Sequence, residues 1–151
     1  MRKAIICDID QCLLDSLQPI MIQERGSALG LADDEYWNLF YDNLHLCKKN
    51  AWCYELLNRF AKDDITVLFI TGRQEKARKQ TLSYFNFKFK YKLYMRPNDN
   101  LEPDAKVKHS ILEDLVNEYD ILFALDDREA NCQVYRSFGI TTLKVDSMEL
   151  H

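Results

Sequence analysis

The 151-residue chain contains only four glycines, three prolines and three histidines, and each scarcity removes a class of architecture. So few glycines and prolines, with no low-complexity tract, leave no composition for a flexible linker. No segment repeats, and one domain over residues 1–151 is expected. His45, His109 and His151 form no ligand cluster with the cysteines, which argues against zinc chemistry. The five cysteines are an odd number with no Cys-x-x-Cys spacing, so reduced thiols of a cytoplasmic protein are expected instead of a disulfide frame. Long apolar runs are also missing. Met1-Arg2-Lys3 leads into a short apolar stretch and then charge, unlike a secretory leader or a membrane span.

Positive charge is in the minority, with a net charge of −4, which argues against a general nucleic-acid coat protein. The distribution is uneven. Arg73, Lys76, Arg78, Lys79, Lys88, Lys90, Lys92 and Arg96 face one acid, Glu75, so this strip carries +7 and the rest of the chain −11. Such a strip either attracts an anionic substrate or forms solvated helix and strand faces.

Apolar runs at 3–9, 65–70, 120–125 and 140–145 read as strands. Between them lie stripes at helical spacing, Cys53-Leu56-Leu57-Phe60 and Lys108-Ile111-Leu112-Leu115. The alternation predicts an α/β fold: a Rossmann-like parallel sheet of about five strands with helices on both faces. Residues 16–50 interrupt the rhythm with two helical pieces, about 17–29 and 34–46. Asp33 or Asp34 is placed to cap the second, and Trp37, Phe40 and Leu44 form its buried stripe. An insertion after the first strand sits over the carboxyl edge of the sheet, so 16–50 is a candidate helical cap; the alternative is packing on the sheet's flank. In 85–92, aromatics alternate with Asn and Lys, as in an extended segment with one buried and one solvated face or an aromatic platform for nucleic acid.

Ligands of parallel α/β sheets bind at the carboxyl ends of strands. After the first strand come Asp8 and Asp10, whose spacing points both side chains the same way; such a pair needs a cation or a shared proton. After 65–70 comes Thr71-Gly72-Arg73, read as a helix start able to cradle phosphate. After 120–125 come Asp126, Asp127 and Arg128. Oxygen-only ligation suits Mg²⁺. A lysine is needed to offset the acids. Lys108 begins an apolar stripe and points inward, Lys106 points to water, and Asp104, four residues before Lys108, is placed to hold it.

Asp8-Ile9-Asp10, Thr71-Gly72-Arg73, a helix lysine and Asp126-Asp127 together resemble the haloacid dehalogenase (HAD) superfamily of phosphotransferases. Tyr94-Met95-Arg96-Pro97, Asp104 to Lys108, Leu125-Asp126-Asp127-Arg128 and Phe138-Gly139-Ile140 look like the phosphatase domains of bacteriophage polynucleotide kinase/3′-phosphatases. No kinase P-loop is present, so the resemblance implies a stand-alone phosphatase domain. It also implies Mg²⁺-dependent removal of 3′-phosphate from polynucleotide ends through an aspartyl-phosphate. Asp8 would attack phosphorus, and Asp10 would protonate the leaving oxygen and then activate water. Thr71 and Lys108 would hold phosphoryl oxygens, and Gly72, Arg73 and Asp104 would place substrate or orient the lysine. Asp8, Asp126 and the Asp10 carbonyl would bind the metal, with Asp127 in support.

Two departures stand out. Gln11-Cys12 replaces the superfamily's Gly-Thr, and near Pro19, where the phage enzymes carry an arginine, none occurs before Arg25. Free nucleoside monophosphates or other small esters are therefore the rival substrates, and an inactive HAD-fold binding protein is the rival class. Cys12 as nucleophile is disfavoured by its acidic neighbours. Neither a membrane nor a stable protein partner is implied.

Overall fold

The computed structural model describes residues 1–62 and 64–147; His151 lies outside them. The elements run β1 (Arg2–Cys7), β2 (Leu14–Asp15), α1 (Leu17–Ser27), α2 (Asp33–Tyr41), a 3₁₀ turn (Leu44–Leu46), β3 (Lys48–Lys49), α3 (Ala51–Phe60), β4 (Thr66–Gln74), a second 3₁₀ turn (Glu75–Ala77), α4 (Arg78–Leu82), β5 (Tyr91–Arg96), α5 (Asp104–Glu118), β6 (Tyr119–Asp126), α6 (Glu129–Ser137) and β7 (Thr142–Lys144). Five parallel strands form one sheet in the order β5-β4-β1-β6-β7, the α/β architecture expected.

Alternate side chains of each inner strand enter opposite cores, which is why the strands are apolar without a break. Ile5, Cys7, Val67, Phe69 and Leu125 pack with Cys53 and Leu57 of α3. Ala4, Ile6, Leu68, Ile70 and Ala124 pack with Leu112 and Leu115 of α5 and Tyr135 of α6. With β1 between β4 and β6, the three strand ends that carry Asp8, Thr71 and Asp126 lie side by side.

Several expectations are corrected. The first strand stops at Cys7, because Cys12 N and Leu14 N donate to Ile9 O and fold the next residues into a tight turn. Thr71-Gly72-Arg73 does not open a helix. It continues β4, whose register to β5 shifts between Thr71 and Gln74, and helical structure starts only at Glu75. Neither Asp33 nor Asp34 caps α2: Ala32 is the N-cap, and both acids sit in the first turn, where they complement the helix dipole. Trp37 is 40% exposed, while Phe40 and Leu44 are buried. The fifth strand, β5, lies at the end of the aromatic–lysine stretch. Phe87 stacks on Phe89 and on Phe69, and Phe85 meets Phe87 edge-on and Phe69 at a tilt, leaving Lys88 and Lys90 exposed, so the stretch has one half-buried, packed face and one solvated face and is no open platform. The basic strip is not one patch either. Arg73 is buried at the site end of the sheet, Arg78 pairs with Glu75, and Lys88, Lys90 and Lys92 lie toward the opposite end, before or early in β5. No helix among the described residues is long and apolar enough to cross a membrane.

Candidate active site

The centre of the site is a buried lysine between two acids. Lys108 Nζ donates to Asp8 Oδ1 at 2.8 Å and to Asp126 Oδ2 at 2.7 Å, and the Lys108 side chain is fully enclosed. Lys106 points outward to Glu102. Burial opposes the Lys108 cation, but Asp126 and then Asp8 outweigh it and hold its pKa well above the ordinary lysine value. Asp8 behaves oppositely. Burial first, and the Asp126 charge second, push its pKa well above the ordinary carboxylate range despite Lys108. The carboxylates of Asp8, Asp126 and Asp127 lie within 4.8 Å of one another. One lysine among three converging acids leaves negative charge in excess, and an all-oxygen donor set of this kind fits a hard divalent cation.

Asp126 is positioned by groups that sequence inspection missed. Tyr135 Oη donates to its Oδ2 at 3.0 Å, and Arg128 N and Asn131 Nδ2 donate to Oδ1 at 3.1 and 3.3 Å. Asn131 Nδ2 also donates to Asp104 Oδ2 at 2.8 Å. The available signal was spacing: Asn131 and Tyr135 lie four residues apart on the inner face of α6. Ser147 Oγ donates to Asp127 Oδ2 at 3.1 Å.

Asp10 stands next to this centre, tied to Arg73. The guanidinium Nε lies 3.0 Å from Asp10 Oδ2 and Nη2 lies 2.6 Å from Oδ1, a two-point clamp that fixes the carboxylate plane. Ser16 Oγ donates to Oδ1 at 2.6 Å. Arg73 is itself held by Thr81 Oγ1 at 3.0 Å and lies 5.8 Å from the Phe40 ring centroid. It is 2% exposed, so its direct partner is Asp10.

Thr71 Oγ1 accepts from Arg73 N at 3.1 Å and lines the cavity beside Asp8. Gly72 is explained by Asp104: a Cβ at this position would lie 2.0 Å from Asp104 Oδ1. Asp104 reaches Lys108 Nζ only at 3.9 Å and also pairs with Arg96 at 3.6 Å and Arg128 at 3.8 Å. Burial raises its pKa, but Lys108, Asn131, Arg128 and Arg96 together hold it below the ordinary value. Gly72→Ala therefore displaces Asp104 from this cation cluster. The expected cost is about 1–3 kcal/mol, read as a lower urea midpoint at unchanged slope.

The residue pair after Asp10 has a backbone explanation. Gln11 has φ +60°, the left-handed region where glycine is unstrained. Its Oε1 accepts from Ser16 N at 2.8 Å, an interaction glycine cannot make. Cys12 turns away from the cavity into the core, 3.8 Å from Cys7 Sγ, and its pKa is raised by hydrogen bonding to Cys53 and Cys7 and by burial, which removes it as a nucleophile.

The cavity over these groups measures about 430 Å³. Asp8, Asp10, Thr71, Gly72 and Arg73 form its floor, Arg96, Asp104 and Arg128 one side, and Ile20, Gln23, Tyr36, Trp37, Phe40 and Tyr41 of α1 and α2 the other. Tyr41 Oη accepts from Gln74 N at 2.9 Å, tying α2 to the end of β4. Arg25 is exposed and does not line the cavity; Arg128, 37% exposed, is the accessible cation there.

The fold has solved counterparts. A chain of the Pnkp1/Rnl/Hen1 RNA repair complex matches 99% of this chain at 19% identity and a TM-score of 0.69. This chain spans only 44% of that one. A haloacid dehalogenase-like hydrolase from Streptococcus pneumoniae matches 93% of this chain and 83% of its own at 16% identity and a TM-score of 0.67. A HAD family enzyme from Bacteroides thetaiotaomicron, in complex with magnesium and inorganic phosphate, matches 99% and 96% at 13% identity and a TM-score of 0.62. No curated protein matches the sequence. The family model of the polynucleotide kinase PNKP phosphatase domain matches residues 36–149, a span that holds Thr71, Lys108 and Asp126 and begins after Asp8 and Asp10. With most of its length in that match and the expected acids at the end of β1, which the match leaves out, this chain belongs to the family of polynucleotide kinase phosphatase domains.

Proposed function

We propose that the chain is a Mg²⁺-dependent phosphomonoesterase that removes 3′-phosphate from polynucleotide ends through an aspartyl-phosphate on Asp8. The observation that carries this reading is the Asp8–Lys108–Asp126 arrangement beside an arginine-clamped Asp10. Asp8, Asp126 and Asp127, with the Asp10 backbone carbonyl, would hold the cation. When bound, it supplies the charge neutralisation that lets a carboxylate approach an anionic phosphate. Asp8 Oδ attacks phosphorus, and the bond to the leaving oxygen breaks. Asp10 gives that oxygen its proton and afterwards takes one from the water that cleaves the acyl phosphate. Arg73 keeps Asp10 aimed at this oxygen. Thr71 Oγ1 and Lys108 Nζ hold phosphoryl oxygens, and the helices of 16–50 act as a cap that limits water.

A polynucleotide end is favoured over a free nucleotide because the cavity continues past Trp37 and Tyr41. A second hollow of about 200 Å³, lined also by Asp33, Gln74 and Asn100, offers room for the next residue of a chain. The test is a panel of 3′-phosphorylated oligonucleotide, 5′-phosphorylated oligonucleotide and nucleoside 3′-monophosphate, each with Mg²⁺ and with EDTA. The 3′-phosphorylated oligonucleotide is expected to have the highest kcat/KM, with activity lost in EDTA. Faster turnover of the free nucleotide would replace the polymer end by the small substrate, and no phosphate release from any of them would make the chain a binding protein.

A further inference from the structure

The cavity is larger than a phosphoryl group needs, and its two sides differ in chemistry. Arg96 and Arg128 line it together with Leu101, Glu102 and Pro103, whereas the wall residues that α1 and α2 contribute are mostly aromatic and aliphatic. One polar side chain interrupts that wall. Gln23 is 4% exposed and lines the cavity, and its Nε2 has no hydrogen-bond partner. Buried amides are almost always paired, so an unpaired one on a residue that lines a cavity points to a ligand's polar edge.

Resting on the phosphatase reading of the same site, we propose that this wall is a nucleobase subsite, in which Trp37 stacks on the base and Gln23 hydrogen-bonds its edge. Trp37 is 40% exposed and is contacted by two rings. Tyr36 meets it edge-on with centroids 5.5 Å apart, and Tyr41 lies 6.5 Å away. An exposed indole face accepts any base by stacking. A carboxamide offers donor and acceptor on neighbouring atoms, the pattern that matches a base edge. A sugar alone lacks the planar face, and a lipid lacks the polar edge. The subsite adjoins the chemistry, since Phe40 of the same wall packs against Arg73, the partner of Asp10. The base of the terminal nucleotide thus lies on the cap while its phosphate reaches Asp8.

The chain has two tryptophans, and Trp52, on α3, does not line the cavity. In a Trp52→Phe background the fluorescence therefore reports Trp37 alone. In EDTA, adenosine 3′-monophosphate is expected to quench it saturably and ribose phosphate is not, and Gln23→Ala is expected to weaken the quenching about tenfold without lowering Tm, because no bond within the protein is lost. With Mg²⁺, the ratio of kcat/KM for 3′-phosphorylated oligonucleotide to that for glycerol phosphate is expected to fall about tenfold in Trp37→Ala and Gln23→Ala and to be retained in Trp37→Phe, which also controls for folding. Equal quenching by ribose phosphate, or an unchanged ratio in both alanine variants, overturns the subsite. Absence of turnover on every ester overturns the phosphatase reading instead, and the quenching measurement still decides the subsite.

Discussion

Asp8→Asn is expected to lower phosphate release by about 10⁴-fold or more, the scale on which removal of a nucleophile acts, while making the metal-free protein more stable. The two effects share one cause. Asp8 is buried beside Asp126, and both burial and that neighbouring charge disfavour its ionised form. A carboxyl whose folded pKa is raised is a cost at every pH above its unfolded value, and the cost reaches its full size above the folded pKa. Asparagine keeps an oxygen for Lys108 Nζ, which lies 2.8 Å from Asp8 Oδ1, and removes the charge. Removing that charge is therefore expected to raise the Tm of the metal-free protein at neutral pH. Below about pH 4, where both forms are neutral, the difference should vanish. Calorimetry across pH in EDTA checks this. A variant less stable than the parent at neutral pH would contradict the electrostatics. Mg²⁺ should raise the Tm of the parent more than that of the variant, because the variant keeps only Asp126 and Asp127 of the three carboxylates and binds the cation more weakly.

Lys108→Met has the larger effect on stability. It removes the cation from between Asp8 and Asp126 in a fully enclosed position and leaves their charges uncompensated. Breaking a buried pair on one side costs about 3–5 kcal/mol, equivalent to a fall in Tm of roughly 6–20 °C. Activity should be lost with it, since the proposed mechanism uses Lys108 Nζ to hold a phosphoryl oxygen. Two comparisons locate the cause. Lys106→Met, at the exposed partner of Glu102, should leave Tm unchanged. The double change Asp8→Asn with Lys108→Met should recover part of the lost stability, since it removes one of the stranded charges. A single Lys108→Met variant as stable as the parent would show that the acids are not ionised together.

How much of this was legible in the sequence follows from what each signal depends on. Asp8, Thr71, Lys108 and Asp126 were placed by strand ends and helix stripes, because a parallel sheet with β1 between β4 and β6 leaves those ends adjacent. β5 was hidden because it follows directly on the aromatic–lysine stretch and only Leu93 and Met95 of its six residues are buried, as befits an edge strand. The identity of Arg73's partner was hidden for a different reason. Asp10 is 63 residues away, and a long-range ion pair has no local pattern. Asn131 and Tyr135 look like ordinary helix polar and aromatic residues until α6 is docked against Asp126. Gln11 was an anomaly by composition and became intelligible only through its backbone angle. Gln23, on an amphipathic helix, reads as a surface residue in sequence and is buried against the cavity in the fold.

The most direct test of the central claim is to trap the covalent intermediate. A reaction with 3′-phosphorylated oligonucleotide and Mg²⁺, quenched with borohydride during turnover, reduces an acyl phosphate to the corresponding alcohol. Peptide mass analysis should then find homoserine in place of Asp8, with Asp10, Asp126 and Asp127 unchanged. Steady phosphate release with Asp8 recovered intact, or the reduced residue found at Asp10, would contradict the assignment of Asp8 as the attacking group.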